Sequence, residues 1–428
     1  MRFVGIVGAA VWIVLANCQV FGAAIETDTE RSAAAFVALT LQLGSFPEYG
    51  EEVDSYFGPE YLRPSPNLLP GKIAALAVDA DALLRRIEAG QELEPTPRGA
   101  RLLAQVRSFG ALLEVIEQPH RWAFEQEALH VYGMSMPSAD PTATRHALRA
   151  LDAALPGSGN LSQRLTEFLS HFVVPPERRE AVFDRALREC RTRTLAHWKL
   201  QPDERLDVEW TSGVGAAWHR YRGHGRSTLQ INPEAVALVG SAIDVACHEA
   251  YPGHHAQFLL MEQRAGAAGL PVEEQIVLLR SPASVLREGA ANFGIALAFP
   301  FEARVAFDRQ VLFPLAGLDP AQARRYETVH RLIDQLSSTT APILAAYADG
   351  RLSFGEAAAD LVADAGISSP DALLRFADRY GAYTLGYTSA RDRLRDYVNA
   401  RHLRTGEDAW TVLRDVVAGP DVTVLITK

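Results

Sequence analysis

Residues His248 to His255 read HEAYPGHH and follow an apolar helical pattern. On an unbroken helix, the side chain six positions after His248 points about 120° away, and the one seven positions after lies about 10 Å along the axis. Pro252 and Gly253 interrupt such a helix, because proline clashes with the preceding turn and glycine permits unusual φ angles. The sequence therefore predicts a local bulge that returns His254 to the face that carries His248.

Two imidazoles on one helix face, with a glutamate directly after the first, are typical of zinc hydrolases with the H-E-x-x-H motif. By this pattern His248 and His254 are metal ligands, and Glu249 is a general base outside the ligand set. His255 is interpreted as a supporting donor or a substrate contact. The assignment of His255 instead of His254 as the second ligand stays open.

A third ligand is expected on the apolar helix that begins near Ser281-Pro282. Between Glu288 and Pro300 this segment has little polarity apart from Asn292. A buried carboxylate is costly unless it is paired or binds a metal, so Glu288 is the candidate, with a salt bridge to a buried arginine as the alternative. Two imidazoles and a carboxylate suit Zn²⁺, although iron, cobalt or manganese would also accept this set.

The octapeptide and the Glu288-Gly289 pair resemble the bacterial HExxPGHH zincin-like family called domain of unknown function 885. That family is distantly similar to HExxH-plus-Glu peptidases such as carboxypeptidase Taq and the oligopeptidases. The resemblance covers roughly the C-terminal half, from Gly225 onward, and Tyr383-Thr384-Leu385-Gly386 matches the end of a further family segment. It implies a mainly α, zincin-like domain with a helix-walled channel, a Zn²⁺ cofactor and a peptide substrate. It also implies that Tyr383 stabilises the oxyanion, with Tyr380 and Tyr387 as nearby substitutes.

The predicted function is therefore that of an exported, gluzincin-like zinc metallopeptidase acting on short or unfolded peptides. Glu249 would take a proton from a metal-activated water. Two alternatives stay open: a zinc hydrolase of a non-peptide amide or ester, and a catalytically silent zincin-like binding module.

A small β element is predicted beside the metal-binding helix, at Arg205–Trp210 and Ser227–Ile231. Asn232 follows the second strand and is predicted to cap a helix starting at Pro233. The resemblance suggests that Ser227–Asn232 is an edge strand that pairs with the substrate, which makes Asn232 a candidate substrate-binding residue. The charged run between His219 and Arg226 is interpreted as a solvated hairpin turn, with carboxylate binding as the alternative.

Apolar residues at three- and four-residue spacing predict helices over most of the remaining chain. The predicted helices span 73–87, 102–116, 143–155, 160–172, 177–198, 234–251, 283–299, 320–336, 355–365, 369–379 and 385–400. We divide the chain into an N-terminal helical region, 25–200, and a zincin-like catalytic region, 201–428.

The first 24 residues have the pattern of a signal peptide. An uncharged stretch from Phe3 to Ala16 is too short for a membrane span, which needs about 20 residues. We expect cleavage after Gly22 or Ala24, export to a periplasm and no stable membrane span afterwards. A lipid on Cys18 and an uncleaved anchor are alternatives.

The mature chain then keeps Cys190 and Cys247, which could pair in an oxidising compartment. Because Cys247 diverges from His248 by about 100° on a helix, we expect a buried thiol rather than a metal ligand. The net charge, 42 − 52 = −10, argues against a nucleic-acid partner. The oligomeric state is not predicted.

Overall fold

The structure, a computed structural model, describes residues 27–65, 71–89, 93, 95–137, 140–212, 215–367 and 369–419. The predicted signal peptide, residues 1–24, and Cys18 lie outside the described residues. In the described ranges, no helix combines the length and the apolar character that crossing a membrane would require.

Helices dominate the described chain, which confirms the mainly α class. Before residue 200 the helices are α1 (Asp28–Leu43), α2 (Ile73–Glu88), α3 (Pro97–Glu117), α4 (Phe124–Tyr132), α5 (Pro141–Ala154), α6 (Leu161–Ser170) and α7 (Pro176–Leu195). After residue 240 they are α8 (Ser241–Glu249), α9 (His254–Ala268), α10 (Pro282–Ala298), α11 (Phe301–Phe307), α12 (Phe313–Ala316), α13 (Ala323–Gln335), α14 (Thr340–Ala348), α15 (Phe354–Ala365), α16 (Pro370–Tyr380), α17 (Ser389–Thr405) and α18 (Ala409–Ala418). A 3₁₀ turn, Gly381–Tyr387, joins α16 to α17.

Two small sheets accompany the helices in the described part of the chain. β1 (Val53–Tyr56) pairs antiparallel with β5 (Ile276–Leu278). β2 (Arg205–Trp210), β3 (Ala217–Gly223) and β4 (Arg226–Ile231) form the second sheet in the order β2-β4-β3. Strand β4 is parallel to β2 and antiparallel to β3. The predicted strands at 205–210 and 227–231 are therefore confirmed.

One predicted helix, 234–251, is wrong in its first half. Asn232 caps a 3₁₀ turn, Pro233–Val236, and α8 begins only at Ser241. The backbone between the 3₁₀ turn and α8 pairs with the segment after α6. Val174 N donates to Ala237 O, and Val239 N donates to Phe172 O. These hydrogen bonds to the segment after α6 replace the helical ones, which is why the helix is interrupted.

The main cluster of buried hydrophobic side chains contains residues from both sides of position 200. Cys190 on α7 and Cys247 on α8 form a disulfide with a Cα–Cα distance of 5.4 Å. The pairing of Cys190 with Cys247, which the sequence left open, is thus confirmed, and the buried thiol favoured at Cys247 is wrong, because α7 packs directly along α8. The disulfide ties α8 to the N-terminal helices. The division at residue 200 itself stays a prediction.

Candidate metal centre

The segment after Glu249 forms the predicted bulge. Helix α8 ends at Glu249, the Tyr251–Pro252 peptide bond is cis, and α9 begins at His254. Gly253 N donates to Cys247 O at 2.9 Å, which turns the chain back onto the end of α8. A Cβ atom on Gly253 would lie 1.6 Å from the carbonyl oxygen of His248, so only glycine fits this position.

The bulge brings His248, His254 and Glu288 together, as the sequence predicted. One ligand atom of each residue lies within 4.8 Å of the others. Nε2 of His248 is 3.1 Å from Oε2 of Glu288, and Nε2 of His254 is 3.5 Å from Oε1. The two imidazoles and the carboxylate form a triad that could hold a metal ion.

Asn292 fixes the orientation of the His248 ring. The amide Nδ2 of Asn292 donates to Tyr387 O at 2.9 Å, so Oδ1 faces Nδ1 of His248, at 3.0 Å. Since that oxygen can only accept, Nδ1 carries a proton, and Nε2 is the ring nitrogen directed at Glu288. The buried Oε2 of Glu288 accepts no hydrogen bond from the described residues. An imidazole nitrogen directed at a buried carboxylate oxygen, with the opposite ring nitrogen held by an amide oxygen, is the arrangement expected of a supported metal ligand.

The electrostatics of the triad lead to the same conclusion. Burial alone would raise the pKa of Glu288, but His254 and His248 hold it well below its usual range. Burial would lower the pKa of His254, but the Glu288 carboxylate raises it to about 9. The centre therefore attracts positive charge.

Tyr383, the predicted oxyanion donor, contacts the third ligand directly. Its hydroxyl donates to Oε1 of Glu288 at 2.7 Å, and its side chain is buried. The close approach depends on Gly386, where a Cβ atom would lie 2.9 Å from Cβ of Glu288. Tyr387 is also near, with its ring stacked against His248 at a centroid distance of 5.9 Å.

A cavity of about 120 Å³ lies over the triad. Glu249, the predicted general base, lines it together with the three ligands, and burial raises the pKa of this carboxyl. The other lining residues are Asp54, Ala217, Trp218, His219, Phe258, Leu279, Ser284, Arg287, Phe376, Tyr380, Tyr383 and Tyr387.

His255 is placed away from this cavity, so a substrate contact is not supported. Its ring is fully buried: Nδ1 lies 2.7 Å from Ser227 Oγ, and Nε2 lies 2.9 Å from Glu204 Oε2. Ser227 Oγ in turn lies 2.8 Å from Nε2 of His219, which lines the cavity. His255 thus belongs to a buried hydrogen-bonded chain behind the centre. Tyr251 joins this chain, since its hydroxyl donates to Glu204 at 2.7 Å.

Asn232, the other candidate substrate-binding residue, also lies outside the cavity lining. Its Oδ1 accepts from Glu234 N, and its Nδ2 donates to Gly215 O at 3.0 Å. These hydrogen bonds hold the turn after β4 and do not reach the triad.

The predicted edge strand is wrong, because β4 is the central strand of its sheet and both of its edges are paired. Strand β3 is the edge strand beside the cavity, which Ala217, Trp218 and His219 line. Its outer edge pairs with no strand among the described residues. His219 is also not part of a solvated turn, since it points inward while Arg220 is exposed. The alternation along β3 was the available signal for this inward position.

Two further charged residues of the cavity, Asp54 and Arg287, were missed. Arg287 directly precedes Glu288 on an otherwise apolar helix, and that charge was a readable signal. Asp54 lies on the short strand β1, whose sequence carries no comparable signal. Burial raises the pKa of Asp54 to about 6.

Comparison with known proteins shows similarity of fold only. No family model and no curated protein matches this sequence. A solved structure from Colwellia psychrerythraea, provisionally described as a lipoprotein, has a TM-score of 0.51 and 16% identity, covering 83% of this chain and 68% of that chain. A second, from Shewanella oneidensis, is provisionally described as a lipoprotein of unknown function. It has a TM-score of 0.49 and 12% identity, covering 83% of this chain and 72% of its own. At such identities, the first similarity shows a shared fold and nothing about activity.

Proposed function

We propose that the protein is an exported zinc-dependent metallopeptidase of the zincin type, similar to domain of unknown function 885, that hydrolyses short peptides. The observation that carries this proposal is the convergence of His248, His254 and Glu288 within 4.8 Å, with Glu249 in the lining of the same cavity.

The ligands and their supports have distinct roles in this proposal. Nε2 of His248, Nε2 of His254 and the carboxylate of Glu288 would hold the ion, while Asn292 and Tyr383 orient two of these ligands. A zinc ion, when bound, supplies Lewis acidity that polarises the scissile carbonyl and makes water a nucleophile near neutral pH.

Glu249 is the proposed general base. It follows His248 by one position, so its side chain diverges by about 100° from the ligand and need not bind the ion. Its carboxylate accepts a proton from the attacking water and passes it to the nitrogen of the leaving amine. A pKa raised by burial suits this exchange, because a base with a pKa nearer neutrality releases the proton more readily.

Strand β3 gives the substrate an edge beside the centre. Backbone pairing along β3 would hold an extended peptide without selecting its side chains. Tyr383 is committed to Glu288, and Tyr387 lines the same cavity. Tyr383 as the oxyanion donor therefore stays a prediction, with Tyr380 and Tyr387, which line the same cavity, as its alternatives.

Export is supported by the apolar segment Phe3 to Ala16 and by the Cys190–Cys247 disulfide, which is expected in an oxidising compartment. The description of the Colwellia protein as a lipoprotein agrees with export and keeps lipidation at Cys18 as the alternative. The intact mass of the mature chain tests this, because a free N-terminus after residue 22 or 24 and a lipid on Cys18 give different masses.

Metal content and peptide hydrolysis of the parent and of Glu249→Gln test the catalytic proposal. We expect one zinc per chain in both proteins, and a loss of hydrolysis of about 10²–10⁴-fold in the variant. Glu209→Gln, on the exposed face of β2, is the matched control and should match the parent. Equal activity in Glu249→Gln would remove Glu249 from the mechanism. A zinc-loaded parent that cleaves esters but no peptide would favour the non-peptide hydrolase.

A further inference from the structure

The Arg287 guanidinium lines the same cavity as the triad, Glu249 and Asp54. Its side chain lines the cavity and is only 9% exposed. Nε is buried and has no hydrogen-bond partner among the described residues. A buried guanidinium with unused donors is costly, since charges removed from water are normally paired.

The acidic residues near Arg287 do not satisfy it. Asp54 lines the same cavity and is the strongest charge that supports the cation, but within the described residues it forms no contact ion pair with Arg287. Glu288, the next residue in sequence, is bound to Tyr383 and faces both imidazoles. An arginine guanidinium is not deprotonated in proteins, so this side chain is a cation that needs a counter-charge.

The position of Arg287 on α10 relates it to the reaction centre. Ser284, Arg287 and Glu288 are spaced by three and four residues, so they share one face of the helix, and all three line the cavity. An anion held by Arg287 would therefore lie within the same small space as the group that the triad acts on.

The size of the cavity limits what this anion can be. A cavity of about 120 Å³ has room for several ordered water molecules or for a small charged group. Such a space accepts the charged end of a short substrate beside the triad. A carboxylate is the natural partner, because the planar guanidinium can bind it through two parallel hydrogen bonds.

We propose that Arg287 binds the C-terminal carboxylate of a peptide substrate, so that the protein acts as an exopeptidase that releases the last residue. In this reaction water adds to the last peptide carbonyl and the C–N bond breaks. The proton from the water reaches the leaving amine, and the released amino acid carries the carboxylate that Arg287 holds. The kinetic side of this inference rests on the proposed peptidase function, while the binding side does not.

Binding to zinc-loaded Glu249→Gln is the first test. The probes are N-acetyl-dialanine with a free carboxylate and the same compound as its C-terminal amide, measured by calorimetry. We expect the acid to bind about 10–100-fold more tightly, as for hydrogen bonds to a charged group. Adding Arg287→Gln to the Glu249→Gln protein should remove this preference. Adding Arg287→Lys instead should keep part of it. Arg222→Gln, on the outward face of β3, should leave it unchanged.

The outcomes separate this inference from the proposed function. Equal binding of acid and amide to the Arg287-containing protein overturns it, however the variants fold. A preference that persists in a folded Arg287→Gln protein also overturns it, because the carboxylate then binds elsewhere. In the otherwise unmodified enzyme, Arg287→Gln should raise KM for the acid more than KM for the amide, so that the enzyme loses its preference for the acid. If the unmodified enzyme, with Arg287 in place, cleaves neither compound while the acid still binds through Arg287, the peptidase proposal fails and the carboxylate site stands.

Discussion

The hydroxyl of Tyr383 donates a 2.7 Å hydrogen bond to Oε1 of Glu288, the oxygen that also lies 3.5 Å from Nε2 of His254. The residue predicted to act on the substrate thus contacts the third ligand of the centre. Two roles follow, orientation of the ligand and stabilisation of the oxyanion, and they have different kinetic consequences.

Replacing Tyr383 with Phe distinguishes these roles. If the hydroxyl orients Glu288, zinc affinity should fall by about 10–100-fold, because partners of metal ligands have effects of this size. If it stabilises the oxyanion, kcat should fall by about 10²–10³-fold with zinc affinity unchanged. We expect the first result, measured by competition with a chelator. Tyr347→Phe, which loses only an exposed hydrogen bond to Asp378, is the control.

Gly253 should tolerate no side chain. In Gly253→Ala the new Cβ would overlap the carbonyl oxygen of His248, so the bulge must open and separate His254 from His248. We expect loss of zinc binding and a decrease in the free energy of unfolding of about 1–3 kcal/mol or more. Gly266→Ala in α9, where nothing lies within 4 Å, should instead be neutral or stabilise by about 0.4–1 kcal/mol. Normal zinc binding by Gly253→Ala would contradict the bulge.

The Cys190–Cys247 disulfide should contribute to both stability and the centre. It joins residues 57 positions apart, and such links stabilise by about 2–4 kcal/mol. Since Cys247 directly precedes His248, reduction should also weaken zinc binding. Urea unfolding with and without a reductant measures the first effect and chelator competition the second. An unchanged urea midpoint under complete reduction would show that the disulfide does not stabilise the fold.

Glu204 should make the free energy of unfolding depend on pH. Burial opposes its ionisation, but His255, Tyr251 and Arg191 lower its pKa to about 2. A lowered pKa stabilises the folded state above the unfolded pKa of about 4.5, and this contribution is lost as the pH falls toward 2. Glu204→Gln should therefore be less stable than the parent at pH 7, by about 2 kcal/mol after allowance for solvent screening, and the gap should close at low pH. A gap that is constant with pH would contradict the assigned charge.

The residues of the triad could be predicted from sequence because each one carries a local signal. Pro252 and Gly253 cannot continue a helix, and a carboxylate on an apolar helix needs a partner. Both arguments use residues adjacent to the ligands. The same holds for most helices, whose apolar spacing reports the buried face directly.

The errors come from contacts between distant parts of the chain. Whether β4 is an edge or a central strand depends on β2, which joins it in parallel from the other side. The break before α8 depends on pairing with the segment around Val173. Arg287 was visible in the sequence, but its lack of a partner is a property of the folded cavity alone.

Anomalous X-ray scattering at the zinc edge, from crystals of protein loaded with one equivalent of zinc, tests the central claim most directly. The account predicts one peak about 2.0–2.2 Å from Nε2 of His248, Nε2 of His254 and a carboxylate oxygen of Glu288. Zinc located elsewhere, with these three side chains unligated, would contradict it.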